Sequence, residues 1–521
     1  MNTAPAYTMV PEPESLFAVA DDRFEQLKAR VSAAETLAMS HDKVERLIND
    51  EGREVLRDLF QAHLDLRGLS EPVEPVTGSD GCTRTHRRCE ASRRLTSVLG
   101  DVEVCRTRYE GRGLSSLSPV DGDLNLPPEK YSLEVRRVAT KSAARMSFDA
   151  TVELLAETTG ASVPKRQIEQ LIRRAASDFV PYYEQSMVSA DPTETSDVLV
   201  MTFDGKGVVM RRKGLREATR RAAEKAKPKL RSRLTKGEKR NRKRMACVAA
   251  VYTVAPYLRT AEQVVGALWR DDDDRAAPRP RPEFKRVWAS LARPVVDVMD
   301  EAFAEAASRD PERTKHWIVV VDGDPHQIRR IKHVAKRYRA KITLVLDLIH
   351  VLEYLWKAAH VFNAEGTAAA EQWVRERLLR VLHGEAGLVA GGISRSATKR
   401  GLSAKARKSA DECARYLLNH KAYLRYDEAL RMGYPISSGV IEGACRHLIR
   451  DRLEQTGCRW SLEGAEAVLC IRALLSSGDF DDYWQFHRHQ ELRRNHLERY
   501  ADQRLPALAR PRPGSHLRVV K

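Results

Sequence analysis

Two short apolar, β-branched runs, Trp317–Val321 and Ile342–Leu346, bracket a polar stretch of helical character that ends near Tyr338. Runs of that length and composition suit fully buried strands. The segment therefore reads as strand, helix, strand, the βαβ unit of an open α/β sheet. Asp197–Phe203 and Ala246–Val254 have the same buried-strand pattern, and Val264–Trp269 is taken as another. Phe284–Ala307 reads as one long helix kinked at Pro294. The order is then three strands, a helix, a strand, a helix and a strand.

The flanks have different periodicities. Residues 1–20 are Pro-bearing and expected to lack structure. Residues 21–125 read as a helical segment followed by a β-hairpin. Phe24, Leu27, Val31, Ala34 and Leu37 recur at helical spacing, and Leu95–Tyr109 would turn at Gly100-Asp101. Residues 126–190 read as helices. Within them Ser147–Thr159 and Pro164–Ser177, joined through Gly160, have helix-turn-helix grammar. Lys165, Arg166 and Gln167 open the second of these helices, where such motifs touch bases; plain helix packing is the other reading. After Asp191–Ser196, residues 197–350 form the first part of a sheet core. Residues 351–434 are mostly helical, with a break expected over Gly391–Lys408. Residues 435–485 return to the core, and 486–521 read as a basic tail.

Composition adds a partner. The 521 residues are 42% hydrophobic, as in a globular protein, and carry a net charge of +17. A folded, strongly basic chain of this size points to a polyanion, with nucleic acid the first candidate and a solvated basic surface the plainer one. Between Lys206 and Arg244 stand eighteen Lys/Arg against three Glu. That block is expected to be a mobile arm or extended loop, with Arg240, Arg242, Lys243 and Arg244 as DNA contacts. No apolar run approaches the roughly 20 residues of a membrane span. The first residues lack a basic region followed by an apolar one, so export is not expected. Eight cysteines without CxxC pairs suit reduced thiols in a cytoplasm. Cys82, His86, Cys89 and Cys105 have the ligand types of a zinc site but not its spacing, and zinc is not expected.

The chemistry sits at strand ends. In open α/β sheets ligands bind there, and Asp204, Asp322 and Asp347 each follow a buried run. Helix capping is the alternative role for each. Asp324, before Pro325, rivals Asp322 but better suits a turn or a cap. Glu442, Arg446 and Arg450, spaced by four, would share a helix face. They form either a solvated ion-pair row or a metal-binding Glu whose neighbours hold phosphates. His350 could orient a phosphate or be a hydrogen-bonded core histidine. Trp460, after Arg459, could stack on an unpaired base or be buried.

The stretches TFDGKG, VVVDGDPHQI, LDLIHVLEYLW, PISSGVIEGACRHLIRDR and TGCRWS resemble, in this order, the DDE transposases of bacterial insertion sequences. The ISKra-type group, distant kin of the Mutator-like transposases, is the nearest. SVLGDVEVCRTRY and LNLPPEKYS extend the resemblance to about Leu95–Trp484. It implies an α/β fold: an RNase-H-like catalytic core with a large all-helical insertion, preceded by a mainly helical N-terminal DNA-binding region. It further implies a metal-binding triad of Asp204, Asp322 and Glu442 holding two Mg²⁺ or Mn²⁺ ions. Asp347 and His350 match a motif that relatives place after the second Asp. The paired cysteines of many relatives are incomplete here. Implied partners are double-stranded DNA, both the inverted-repeat ends of an element and its target, and at least one further copy of the chain. The implied location is a bacterial cytoplasm, at the nucleoid. Competing readings are a catalytically inactive, transposase-derived DNA-binding protein and an RNase-H-like nuclease or resolvase.

Overall fold

The computed structural model describes residues 13–186, 195–225, 230, 232, 235–270, 279–455 and 457–510. It divides into two compact units, Met1–Asp178 with Asp481–Lys521, and Phe179–Phe480.

The first unit opens with α1 (Pro13–Val31), α2 (Ala34–Leu37) and α3 (His41–Gly68). Helix therefore starts inside the stretch expected to lack structure, because Ala20 and Leu27 are buried and anchor it. Strand β1 (Glu71–Pro72) precedes an antiparallel sheet of β2 (His86–Ser97), β3 (Gly100–Gly111) and β4 (Leu114–Leu117). The hairpin turns at Val98-Leu99, two residues before the expected Gly100-Asp101. Leu64 of α3 packs with Leu95, Val102 and Val104 of the hairpin and with Leu126. After α4 (Pro119–Asp123) come three mutually packed helices, α5 (Leu133–Arg145), α6 (Phe148–Thr158) and α7 (Lys165–Ala175). Ser132 and Ser147 cap the first two, their hydroxyls accepting from Val135 N and Ala150 N.

The second unit begins with α8 (Phe179–Ser186) and β5 (Val198–Val209). Helices α9 (Glu217–Lys225) and α10 (Lys236–Arg240) precede β6 (Lys243–Val254). The described parts of the basic block are thus ordered, which corrects the extended arm. Val208, Met210 and Leu215 are buried within it, and β5 and β6 pair as far as Val209 and Lys243. Next is α11 (Ala261–Trp269), a helix where a strand was expected. A Thr260–Gln263 capping box fixes its start. The expected long helix is strand β7 (Glu283–Ser290) followed by α12 (Val295–Arg309), with Pro294 at the N-cap rather than at a kink.

Then come β8 (His316–Val321), α13 (Pro325–Arg337) and β9 (Ile342–Leu346). The five strands form one mixed sheet in the order β7-β6-β5-β8-β9, antiparallel over the first three and parallel from β5 to β9. A helical segment follows in α14 (Leu348–Phe362), α15 (Ala368–Leu382), α16 (Ala386–Lys399), α17 (Lys408–Asn419) and α18 (Tyr426–Arg431). The break expected over Gly391–Lys408 falls in its second half, at residues 400–407, while α16 runs on through Gly391-Gly392 because Val389, Ala390, Ile393 and Ala397 are buried.

Helix α19 (Gly439–Ala444) lies on β5 and β6 and passes into a π-helical stretch, Cys445–Arg450. Short α20 (Asp451–Leu453) and α21 (Leu462–Ser477), which packs on β7, complete this unit. The last elements are α22 (Phe480–Asn495) and β10 (Leu508–Ala509). From Asp481 on, the described chain belongs to the first unit, where β10 pairs with β1, so residues 486–510 are not a tail. No helix among the described residues is long and apolar enough to cross a membrane.

Candidate functional site

Strand register gathers the carboxylates. β5 and β8 pair in parallel with Thr202 opposite Val320; two residues on, Asp204 comes level with Asp322. β8 and β9 pair with Val321 opposite Leu346, and the next step brings Asp322 level with Asp347. Continued past these last pairs, the register would set the three Asp in one row, Asp322 and Asp347 just beyond the carboxyl ends of β8 and β9. In-register neighbours in a parallel sheet project to the same face.

Each member is held differently. Asp204 is half-buried on β5 and accepts from the Cys445 thiol at 3.0 Å through Oδ2 and from Gly205 N through Oδ1. Asp322 accepts from Asp324 N at 2.8 Å. Its backbone carbonyl takes the Tyr416 hydroxyl at 2.9 Å, and the next carbonyl, that of Gly323, is 2.8 Å from His420 Nε2. Gly323 needs its φ of 97°, and an added Cβ would lie 2.9 Å from the Tyr416 hydroxyl. Helix α17 and the turn after it therefore brace the loop carrying Asp322. Asp324 is the N-cap of α13, accepting from His326 N at 2.9 Å.

Asp347 is buried and fully engaged. One oxygen caps α14 through Ile349 N, and the other accepts from the Ser438 hydroxyl. Ser438 is the N-cap residue of α19, the helix that carries Glu442. The end of β9 and the start of the Glu442 helix are thereby tied together.

Glu442 is exposed, yet its carboxyl is raised above the usual range. Burial is the first cause and Asp347 the second; His350 opposes them, and Asp204 and Glu353 add to the rise. Glu442, Asp204, Asp347 and His350 are thus one electrostatic group, with Lys206 acting beside it on Cys445. Asp322 and Asp347 act on Tyr416, whose hydroxyl burial pushes up first of all. The acids Asp347, Asp204 and Glu353 thus add to the rise at Glu442, as like charges do. Among the described residues, no three His, Cys, Asp or Glu side chains stand close enough together to enclose a metal ion as placed.

The π-helical stretch changes the expected face. Glu442, Arg446 and Arg450 do not keep one α-helical row, because the wider turn shifts the register after Ala444. Arg472 stabilises this geometry by donating to the carbonyls of His447 and Leu448. Arg446 and Arg450 are exposed, and Arg446 lies 3.8 Å from Asp451.

Several expected DNA contacts have structural positions. Arg244 donates to Leu291 O at 2.7 Å and Gly214 O at 3.1 Å, and burial lowers its pKa. Lys243 pairs with Glu454 at 3.1 Å. Arg240 and Arg242 are exposed. Trp460 is buried, its indole N–H donating to Leu453 O at 3.1 Å and its backbone bridging to the end of β5, so stacking on a free base is not its role. Arg459 is exposed. In the first unit Lys165 and Arg166 are exposed at the start of α7, Lys165 paired with Asp149 at 2.6 Å, while Gln167 is half-buried. Cys82 and Cys89 are exposed, and Cys89 lies on β2.

No protein-family model matches this chain, and no curated protein matches it. The geometry therefore stands alone. Sequence reasoning missed Tyr416, His420, Ser438 and Cys445 as parts of the site. Ser438 and Cys445 both lie inside the PISSGVIEGACRHLIRDR stretch, which was the available signal.

Proposed function

We propose that the chain is a DNA transposase of the DDE type, acting on the ends of an insertion sequence by metal-dependent cleavage and strand transfer. The observation that carries this is the register row of Asp204 and Asp322 with Glu442 brought to it from a packed helix. Hard oxygen ligands in electrostatic conflict are the donor set that Mg²⁺ or Mn²⁺ relieves. The strand order supports an RNase-H-like core: a central β5 with two antiparallel neighbours on one side and two parallel strands on the other. The helical segment between His350 and Glu442 supports the insertion that the resemblance implies. Simple nucleases of such a fold do not need one.

Asp204, Asp322 and Glu442 would hold the ions. Two bound dications supply an activated oxygen nucleophile and a stabilised leaving oxygen in phosphodiester chemistry. The protein's own part is positioning. Cys445 and Gly205 N orient Asp204, Tyr416 and His420 fix the loop of Asp322, and Asp347 with Ser438 sets the start of the Glu442 helix. His350, which acts on Glu442, would hold a phosphate oxygen. Helix α7 offers Arg166 and Lys165 at its N-terminus for end recognition. Joining two ends requires at least a dimer.

The test is cleavage of duplex carrying the flanks of the chain's own gene. Nicking at fixed positions that needs Mg²⁺ or Mn²⁺ and disappears in Asp204→Ala supports the proposal. Binding without cleavage in any divalent metal refutes the catalytic part.

A further inference from the structure

We infer that the exposed face of α13 is a track for the phosphate backbone of duplex nucleic acid, leading away from the carboxylate row. The inference rests on the DNA-directed function proposed above and adds the path the duplex takes. From Pro325 to Leu346 the sequence has seven Lys/Arg and no Asp or Glu. Ile328, Ile331, Val334 and Ala335 form the buried side of α13. At about 100° per residue, the succession Lys332, Lys336, Arg329, His333, Arg337, Arg330 covers an arc of about 160° on the other side. All six are exposed.

Local acids neutralise little of this face. Arg337 pairs with Asp300 at 3.1 Å, while Lys332 donates to a hydroxyl, that of Tyr423 at 2.9 Å, rather than to an acid. Arg329, Arg330 and Lys336 have no ion pair with a described acid. A basic face of this kind, with no exposed large apolar side chain, does not suit insertion into a lipid surface.

Position gives the face its direction. Helix α13 starts three residues after Asp322, and its far end leads into a cleft lined by Arg313, His316, Arg339 and Lys341. Thirteen residues of α-helix span about 20 Å, close to the rise of six base pairs. Near the row, Arg330 is close enough to act on Cys247, which pairs with Gly205 beside Asp204. Phosphates following the helix would thus pass the carboxylates at one end and the basic cleft at the other.

The experiment uses the full chain and a random 30-base-pair duplex, with affinity measured against salt. Neutralising Arg329→Gln, Arg330→Gln, Lys332→Gln and Lys336→Gln together should flatten the log–log salt slope by about 2–4, at about 0.9 per lost phosphate contact. Affinity near physiological salt should fall at least about tenfold. A slope equal to that of the unaltered chain overturns the inference. An unaltered chain that does not bind DNA overturns the proposed function instead. On the unaltered chain, the same duplex should protect Lys332 and Lys336 from amine acetylation. Equal labelling with and without duplex would overturn the inference whatever the folding of the variant.

Discussion

Two charged clusters, one in each unit, show opposite ways of handling buried charge. In the first unit Arg136 is fully buried and donates to Glu129, to Glu491 at 2.5 Å and to His487 Nε2 at 3.0 Å. An arginine can only donate, so Nε2 accepts and Nδ1 carries the hydrogen given to Asp178 at 2.6 Å. Arg494 clamps Asp178 at 3.0 and 2.6 Å and reaches Glu491 at 2.8 Å, while Arg174 takes the remaining oxygen of Glu129. Three arginines meet three carboxylates around one histidine. In the second unit fewer cations meet the acids: His350 acts on Glu442, Lys206 acts on Cys445 beside Asp204, and Glu353 pairs with Lys357 at 3.7 Å. A closed network of this kind joins α22 to α5 and needs nothing more. An open one leaves carboxylate charge that a further cation can offset, which is why the second cluster is proposed for the chemistry.

The largest effect expected is on that assignment. Asp204→Ala, Asp322→Ala or Glu442→Ala should each reduce cation-dependent DNA cleavage by at least about 10³-fold, several kcal/mol of lost transition-state stabilisation. Glu442→Ala should not lower the melting temperature, since it removes a carboxyl that its acidic neighbours oppose. Mg²⁺ or Mn²⁺ should raise the melting temperature of the unaltered chain and not that of Asp204→Ala. If Asp322→Ala cleaves normally while a Ser438-preserving change at Asp347 does not, the second ligand is Asp347.

The closed cluster should respond in the reverse sense. Arg136→Ala leaves Glu129 and Glu491 without their buried partner and should cost about 3–5 kcal/mol of stability. Denaturant unfolding of the first unit measures it. A loss under about 1 kcal/mol would mean that water or rearrangement compensates and that the network is not closed.

The two clusters should also have opposite pH dependence. Burial works against ionising Asp178, but hydrogen bonds from His487 and Arg494 outweigh it and hold the carboxyl at about 2. A depressed carboxylate gives stability that is present above its unfolded pKa and lost as pH falls toward 2, here on the order of 2 kcal/mol. Glu442 is raised, so the folded state holds its proton to higher pH than the unfolded chain, and stability falls as pH rises from the ordinary glutamate value through the raised one. Asp178→Asn should therefore flatten the acid limb of the stability curve. Glu442→Gln should remove the decline on the alkaline side of 4.5. The same sign for both variants would break the contrast.

The same distinction explains what could be read from the chain. Buried strands such as Trp317–Val321 were legible because all their positions are apolar, and Asp204, Asp322 and Asp347 were legible as the residues that follow. Strand β7 was not, because Arg286 in its middle looks like a helical surface residue. Its guanidinium is buried against Glu301 and Glu305 at 2.6 and 2.5 Å and lies over the Tyr183 ring at 3.5 Å, partners remote in sequence. Helix α11 was mistaken because a short apolar run suits either element, although Thr260 and Gln263 mark its start. The common row of the three Asp depends on strand order, and Tyr416 and His420 reach it only through the helical segment.

The smallest effect concerns Cys445, the link between the open cluster and the π-helical stretch. The wider turn begins at this residue, and its thiol donates to Asp204 Oδ2 at 3.0 Å. A thiol is a weak donor, so its contribution to stability should be under about 1 kcal/mol. Its effect should instead appear in how readily Asp204 presents its other lone pairs to a cation. Cys445→Ala should raise the Mg²⁺ concentration for half-maximal cleavage by a few-fold, about 1 kcal/mol in binding, with little change in the saturated rate. Cys445→Ser keeps a donor of similar size and should restore most of the affinity. If alanine and serine behave alike, the thiol only fills space and Gly205 N alone orients Asp204. If the saturated rate falls while the cation requirement stays the same, the π-helical stretch sets the position of Glu442 rather than that of Asp204.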